Sequence, residues 1–203
     1  MNFYNKYILP KLLNYEMANK NFENERADVV EDASGIVLEI GFGSGLNLPF
    51  YKNISKLYAL DPSSELYDLA VERVNNVKFP IEHIKASAEN IPLDTSSVDT
   101  IISTWSLCSI PDPKLALSEM LRVLKPGGKF MFIEHGASPK KFIEKLQKIF
   151  TPFTKPFTGG CHMDRKIDKL ITNAGFKIIN MKNSEGRHKP LYYLYKGVAV
   201  KNS

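Results

Sequence analysis

The sequence predicts an α/β fold, a seven-stranded and mostly parallel sheet with helices on both faces. Three observations predict it. From Gly35 onward, apolar runs of strand length alternate with intervals of helix length, the pattern of a parallel sheet whose crossovers are helices. The runs are nearly continuous in apolar residues, as strands covered on both faces must be. The first run, "IVLEI", opens directly into "GFGSG", a strand-to-helix corner made almost entirely of bare backbone.

The elements follow in order. The first thirty residues read as helical, with Tyr4, Tyr7, Ile8, Leu12, Leu13 and Tyr15 near helical spacing, although Pro10 interrupts them. Residues 1–33 are therefore expected as a helical cap, packed on the domain's edge or over a ligand site. Strands are expected in "IVLEI", "KLYAL", "VKFPIEHIKA", "VDTIIS" and "GKFMFIEH". Helices fit between them: one after Gly45, one from Ser63 to about Val74, and one from Pro113 to about Leu124. Asp112 stands as N-cap of the last, and "LKPGGK" supplies the punctuation that ends it.

The tail changes rhythm. "SPKKFIEKLQKIFTPFTKPFTGG" is basic and phenylalanine-rich, and residues 137–165 are expected to cover the substrate side. Within it Phe142, Ile143, Leu146, Ile149 and Phe150 form a helical apolar stripe, suited to core packing or to a pocket wall. A helix fits "DRKIDKLITNAGF". The runs "FKIINMKN" and "PLYYLYKGVAVK", with Gly186 between them, would pair antiparallel at the sheet edge.

With 203 residues, 43% hydrophobic and 24% charged, the chain suits one globular domain, 1–203, and not a disordered segment. A net charge of +5 allows weak attraction to an anionic membrane surface. No nucleic-acid partner is expected, because lysine–aromatic clusters are lacking. Cys108 and Cys161 stand far apart without a CxxC neighbour, so neither a disulfide framework nor a metal site is expected. The opening lacks the apolar core of a signal peptide, and no stretch reaches the roughly 18 residues of a membrane span. A cytoplasmic location is the expectation.

The dinucleotide fingerprint spaces its glycines G-x-G-x-x-G. Here Gly41, Gly43 and Gly45 alternate, the third comes one position early, and Leu46 takes the final place. With Glu39 the pattern is E-x-G-x-G-x-G. Asp61 closes the second apolar run, twenty residues after Gly41. A carboxylate is acceptor-only and takes two O–H donors at once, which suits a sugar diol. The loop carries no basic residue, which suits a ligand without pyrophosphate.

This spacing resembles the glycine-rich loop of class I S-adenosylmethionine-dependent methyltransferases, and the resemblance runs from about Ile36 to Lys201. It implies a Rossmann-like sheet in the order 3-2-1-4-5-7-6. It implies S-adenosyl-L-methionine as cofactor, leaving as S-adenosyl-L-homocysteine. It places Glu39, Gly41, Phe42, Gly43, Gly45 and Asn47 around the amino-acid end, with Asp61 and Pro62 at the ribose. Ser87, Ala88 and Glu89 fall at the adenine, and Ser103 and Thr104 at the methionine end. The stretch "SAENIPLDTSSVDTIISTWSLCSIPDPKLALSEMLRVLKPGGKFMFIEH" is similar to the rest of a methyltransferase type 11 domain. Where that family reads D-A-E-x-L-P, this chain has Ser87 for the Asp. Adenine recognition would then pass to the Ser87 hydroxyl, the Ala88 backbone and apolar packing.

A closer resemblance lies in "LCSIPDP", "EMLRVLKPGGKFMFIEH", "GGCHMDR" and "YLYKGVAVK". These are similar to the membrane-associated thiol methyltransferases of animal cells (methyltransferase-like family seven) and their bacterial relatives, often labelled phospholipid or quinone methyltransferases. The animal proteins carry an apolar N-terminal anchor, and the opening residues of this sequence are not expected to supply one. The implied acceptor is a small, fairly apolar molecule, an alkyl thiol first and a quinone or phospholipid-like molecule second.

Methyl transfer is an in-line displacement in which the protein mainly aligns the groups. A thiol of pKa about 8.5 is already a few per cent thiolate near neutrality, whereas a phenol near 10 depends more on a base. His135, ending the fifth strand, is a candidate base or positioner, or a histidine satisfied by main-chain bonds. Trp105 and Cys108 fall on the substrate side, Trp105 as anchor or wall and Cys108 as a small filler. His162 and Arg165 are further substrate-side candidates; His162 is not expected to face its neighbour Cys161. Two other classes stay in view, a nicotinamide-dependent oxidoreductase and a non-catalytic cofactor-binding scaffold. The early third glycine and "RVLKPGG" oppose the first.

Overall fold

The apolar runs become strands of one sheet in the computed structural model, which describes residues 3–185 and 191–201. They are β1 Ser34–Ile40, β2 Asn53–Leu60, β3 Ile81–Ile84, β4 Val98–Thr104, β5 Leu124–His135, β6 Phe176–Glu185 and β7 Tyr193–Lys201. The order is β3-β2-β1-β4-β5-β7-β6, the order the family resemblance implies. β1 to β5 are parallel, and β7 runs antiparallel between β5 and β6. Gly186, expected between the last two strands, lies outside the described residues.

Alternation along the strands divides the core into two layers. Leu38, Ile40, Ile101, Phe130 and Phe132 pack on one face against Ala116, Leu117, Met120 and Val123 of α5, Pro113–Val123. Val37, Leu57, Ala59, Ile102, Met131 and Ile133 pack on the other against Val29 and Val30 of α2, Lys20–Val30. The chain leaves β1 toward β2 and β3, then crosses back to β4 on the other side of β1. The connections diverge there, and a crevice opens at the carboxyl ends of the two central strands.

Several elements differ from expectation. Pro10 does not interrupt the first helix. A turn of π-helix, Tyr4–Ile8, precedes α1, Leu9–Met17, and Pro10 sits in the first turn of α1, where its missing N–H has no partner to lose. Of the predicted N-terminal stripe, Tyr7, Ile8, Leu12 and Tyr15 face solvent. No α-helix follows Gly45. There is only a 3₁₀ turn, Leu48–Phe50, because Asn47 is buried beneath the loop and Pro49 follows. The expected helix from Ser63 divides into α3, Ser64–Asp68, and α4, Val71–Asn75.

The largest difference is in α6, Lys141–Thr154. Three residues of its apolar stripe point outward, Phe142 72% exposed, Ile149 50% and Phe150 44%, while Ile143 and Leu146 are half-buried. The buried positions are Gln147 and Thr151. Gln147 Oε1 accepts from Ser138 N at 2.8 Å, and its Nε2 donates to Gly136 O at 3.0 Å and Leu191 O at 2.9 Å. Three backbone groups beyond the strand ends require partners, and a glutamine supplies them where a leucine cannot. α7, Ile167–Asn173, completes the fold. Among the described residues no helix is long and apolar enough to cross a membrane.

Candidate cofactor and acceptor site

A cavity of ≈750 Å³ fills the crevice at the ends of β1 and β4. Its floor is the glycine loop. Gly41, Gly43 and Gly45 have φ of +68°, +56° and +73°, a region other residues enter only with strain. A Cβ built on Gly43 meets nothing within 4 Å except Gly41 O, so the loop's surface there is open. Asp61, at the end of β2, is 5% exposed. Its Oδ2 accepts from Gly43 N and its Oδ1 from Ser63 N, both at 2.8 Å. Burial raises its pKa, and those two N–H groups partly offset the shift.

Under the loop Glu39 is wholly buried. Its carboxylate accepts from Asn47 Nδ2 at 2.8 Å and Tyr51 OH at 2.7 Å. Desolvation pushes its pKa up to about 7, with these bonds and Arg26 opposing. Asn47 Nδ2 also donates to Thr104 Oγ1 at 3.0 Å. Arg26, from α2, is 5% exposed. It donates to Met17 O at 3.2 Å and stacks 4.8 Å from the Trp105 ring. Desolvation brings its pKa down to about 10, so it stays charged at neutrality.

Glu134 holds the segment after β4. Its carboxylate accepts from Ser103 Oγ at 2.7 Å and from the backbone N–H groups of Ser106, Leu107 and Cys108 at 3.1, 3.0 and 3.2 Å. Trp105 is turned into the left-handed region, φ +52°. Its indole donates to Tyr192 OH at 2.6 Å.

His135 ends β5 within the same wall. Its Nε2 lies 3.2 Å from Leu191 O. A carbonyl only accepts, so Nε2 carries the proton and Nδ1 presents its lone pair. The group it meets, at 3.4 Å, is Cys161 Sγ. The neighbouring Cys108 thiol above all, with His135 and the charge of Arg165, brings the Cys161 pKa down. The same proximity and burial hold Cys108 up.

Gly41, Phe42, Gly43, Asn47, Asp61, Pro62, Ser87, Ala88, Thr104, Trp105, Cys108 and His135 all line the cavity. Five predicted site residues do not. Gly45 faces the core, where a Cβ would meet Leu48, Phe42 and Ala70 at 3.0–3.2 Å. Ser103 is turned beneath the wall onto Glu134. Glu89 accepts from the Ser87 hydroxyl and Asp112 N–H, bracing the start of α5. Arg165 donates to the carbonyls of Leu107 and Ile110, both at 2.7 Å, and Pro111 at 3.4 Å, so its guanidinium holds a loop. His162 lies beside Asp164, Nδ1 to Oδ1 3.8 Å. Of residues 137–165, the part on the cavity is Gly159, Gly160, Cys161, Met163 and near neighbours, while α6 stays outside. Tyr51, Arg26, Glu134, Cys161 and Tyr192 were not predicted as site residues. Only "GGCHMDR" carried any signal, for Cys161.

Residues 38–132 match the family model described as a methyltransferase domain. Human thiol S-methyltransferase TMT1B is 30% identical over 189 residues, covering 87% of this chain and 76% of that protein. The chain belongs to the S-adenosylmethionine-dependent methyltransferases. Rat TMT1B is 35% identical over 149 residues, 71% of this chain; the chain spans 61% of the rat protein's length. In fold the methyltransferase is similar to the YcgJ protein of Bacillus subtilis, with a TM-score of 0.71 at 15% identity, covering 91% of this chain and all of that one.

The donor set fits the family's cofactor. Asn47 lines the cavity, and its Oδ1 is buried without a partner among the described residues, an acceptor suited to an ammonium group. Glu39 puts a carboxylate behind it. The open face at Gly43 leaves room for a ligand against the backbone, and Asp61 stands beside it.

Proposed function

We propose that this methyltransferase acts on a small apolar thiol. The observation that carries the reading is the wall of the cavity beyond the glycine loop: Leu13, Met17, Phe22, Trp105 and Met163 line it, and Arg26 places one buried positive charge beside Trp105. Apolar surface binds an alkyl chain, and a partly desolvated guanidinium favours thiolate over thiol.

When bound, S-adenosylmethionine supplies a methyl group activated by a sulfonium centre. The chain's residues do the rest. Gly41, Gly43, Glu39 and Asn47 would hold its amino-acid end. Asp61 would accept from the ribose hydroxyls with the lone pairs that Gly43 and Ser63 leave free. Ser87 and Ala88 would flank the adenine. α1 and the segment around Gly159 exclude water from the acceptor end. His135 already points its lone pair at Cys161, so it does not serve as a free base toward the acceptor; a thiol needs none at neutral pH.

The test is transfer of label from the labelled cofactor to an alkyl thiol, a quinol and a phospholipid, read in organic-soluble product. Labelled thioether is the expected product. Label only in quinol or phospholipid would refute the thiol, and micromolar binding of NADH without S-adenosylhomocysteine would refute the cofactor site.

A further inference from the structure

Two cysteines 53 positions apart in sequence share one wall of the cavity. Both are free and buried, Cys108 at 2% and Cys161 at 9% exposure. The backbone brings them together: His162 N donates to Cys108 O at 2.9 Å, and both cysteines line the cavity. Their surroundings are not alike. Cys161 faces the unprotonated Nδ1 of His135, whose tautomer is set by Leu191 O. Cys108 lies beside the carbonyl of Trp105, at 3.6 Å, and the hydroxyl of Ser109, at 3.7 Å, neutral partners that leave its proton in place.

We propose that Cys161 and Cys108 form a peroxide-reactive dithiol, with Cys161 the attacking thiolate and Cys108 the resolving thiol. A nucleophilic thiolate beside a histidine, a second thiol on the same wall and an entrance through the cavity are the parts that a reversible oxidation site requires. His135 takes the Cys161 proton. The thiolate attacks hydrogen peroxide, an S–O bond forms and the O–O bond breaks. The hydroxide released takes the proton from His135 and leaves as water. Cys108 sulfur then attacks the Cys161 sulfenic acid; its proton and the departing hydroxide form a second water. In sum, two thiols and one peroxide give one disulfide and two waters. The bond ties the segment after β4 to the segment around Gly160 across the cavity wall, and a thiol reductant reverses it. This chemistry is independent of which acceptor is methylated.

The test uses the reduced full chain at pH 7, treated with one equivalent of hydrogen peroxide and then alkylated. The expected result is an intact mass about 2 Da lower, no alkylated cysteine, and a peptide linking Cys108 to Cys161, all lost on reduction. Under the same treatment Cys108→Ser is expected to give a dimedone adduct at Cys161. His135→Asn removes the proton acceptor and should slow thiol loss about tenfold at pH 7, with the pH midpoint moving toward the ordinary thiol value near 8.5. Two alkylated cysteines after peroxide, disulfides only between chains, or a wild-type midpoint already near 8.5 would each overturn the proposal. All three are read on the wild-type protein, so a variant that fails to fold leaves the answer intact.

Discussion

Asp61→Asn separates the two tasks assigned to the residue at the end of β2. In the folded protein each carboxylate oxygen takes one backbone donor, Gly43 N and Ser63 N, both at 2.8 Å. An amide has one oxygen, so one of the two N–H groups must face an NH₂. A buried donor left unpaired costs about 1–3 kcal/mol, and in a domain of this size each kcal/mol lowers Tm by about 2–4 °C. Thermal unfolding without ligand should therefore fall by about 2–12 °C. Affinity loss comes on top of that. The ribose hydroxyls lose a charged acceptor, and each charge-assisted bond is worth about 1.5–3 kcal/mol, or about 10- to 150-fold in Kd. Calorimetric titration with S-adenosylhomocysteine reads that loss directly. A Kd within about twofold of wild type, alongside the lowered Tm, would mean Asp61 only braces the loop and the sugar is held elsewhere. Burial already raises the Asp61 pKa, so the wild-type protein should lose ligand affinity on mild acidification for the same reason.

Gly43→Ala should lower stability by about 1–2 kcal/mol from the positive φ alone, since its Cβ meets almost no protein. Its loss of S-adenosylhomocysteine affinity should be larger, and a stable variant with unchanged Kd would contradict the loop assignment. Glu39 has its folded pKa raised from the ordinary 4.5 to about 7. Stability should be greatest below pH 4.5 as far as this group is concerned and decline as pH rises through about 7, by about 3 kcal/mol across the window. Glu39→Gln should flatten that slope in denaturant titrations, and an equally steep slope in the variant would place the titration elsewhere. Arg26→Gln should lower kcat/KM for a thiol about tenfold and leave S-adenosylhomocysteine binding within about threefold, consistent with one lost charge interaction of about 1.4 kcal/mol. Gln147→Leu, conservative by helix pattern, should destabilise by about 2 kcal/mol or more, because Ser138 N and Gly136 O lose their partner and Leu191 O keeps only His135; a neutral effect would show that water replaces the amide.

The sequence by itself determined the α/β class, the glycine corner and the acid at the end of the second strand. Those features are local. Strand, turn and cap are encoded by residues a few positions apart, and E-x-G-x-G-x-G with Asp61 is readable because the chain carries each of these residues directly to a strand end. The family resemblance added the sheet order. Only the tertiary structure decided what supports that corner. Tyr51 reaching Glu39, Glu134 collecting three N–H groups from the loop after β4, and Arg26 lying on Trp105 join groups whose proximity depends on how the layers dock, and no spacing records it. The same holds for Cys161, which meets His135 and shares a wall with Cys108. Helical periodicity misled on α6 for a related reason. It reports which side of a helix is apolar, whereas the side that turns inward carries Gln147, which bonds three backbone groups beyond the strand ends.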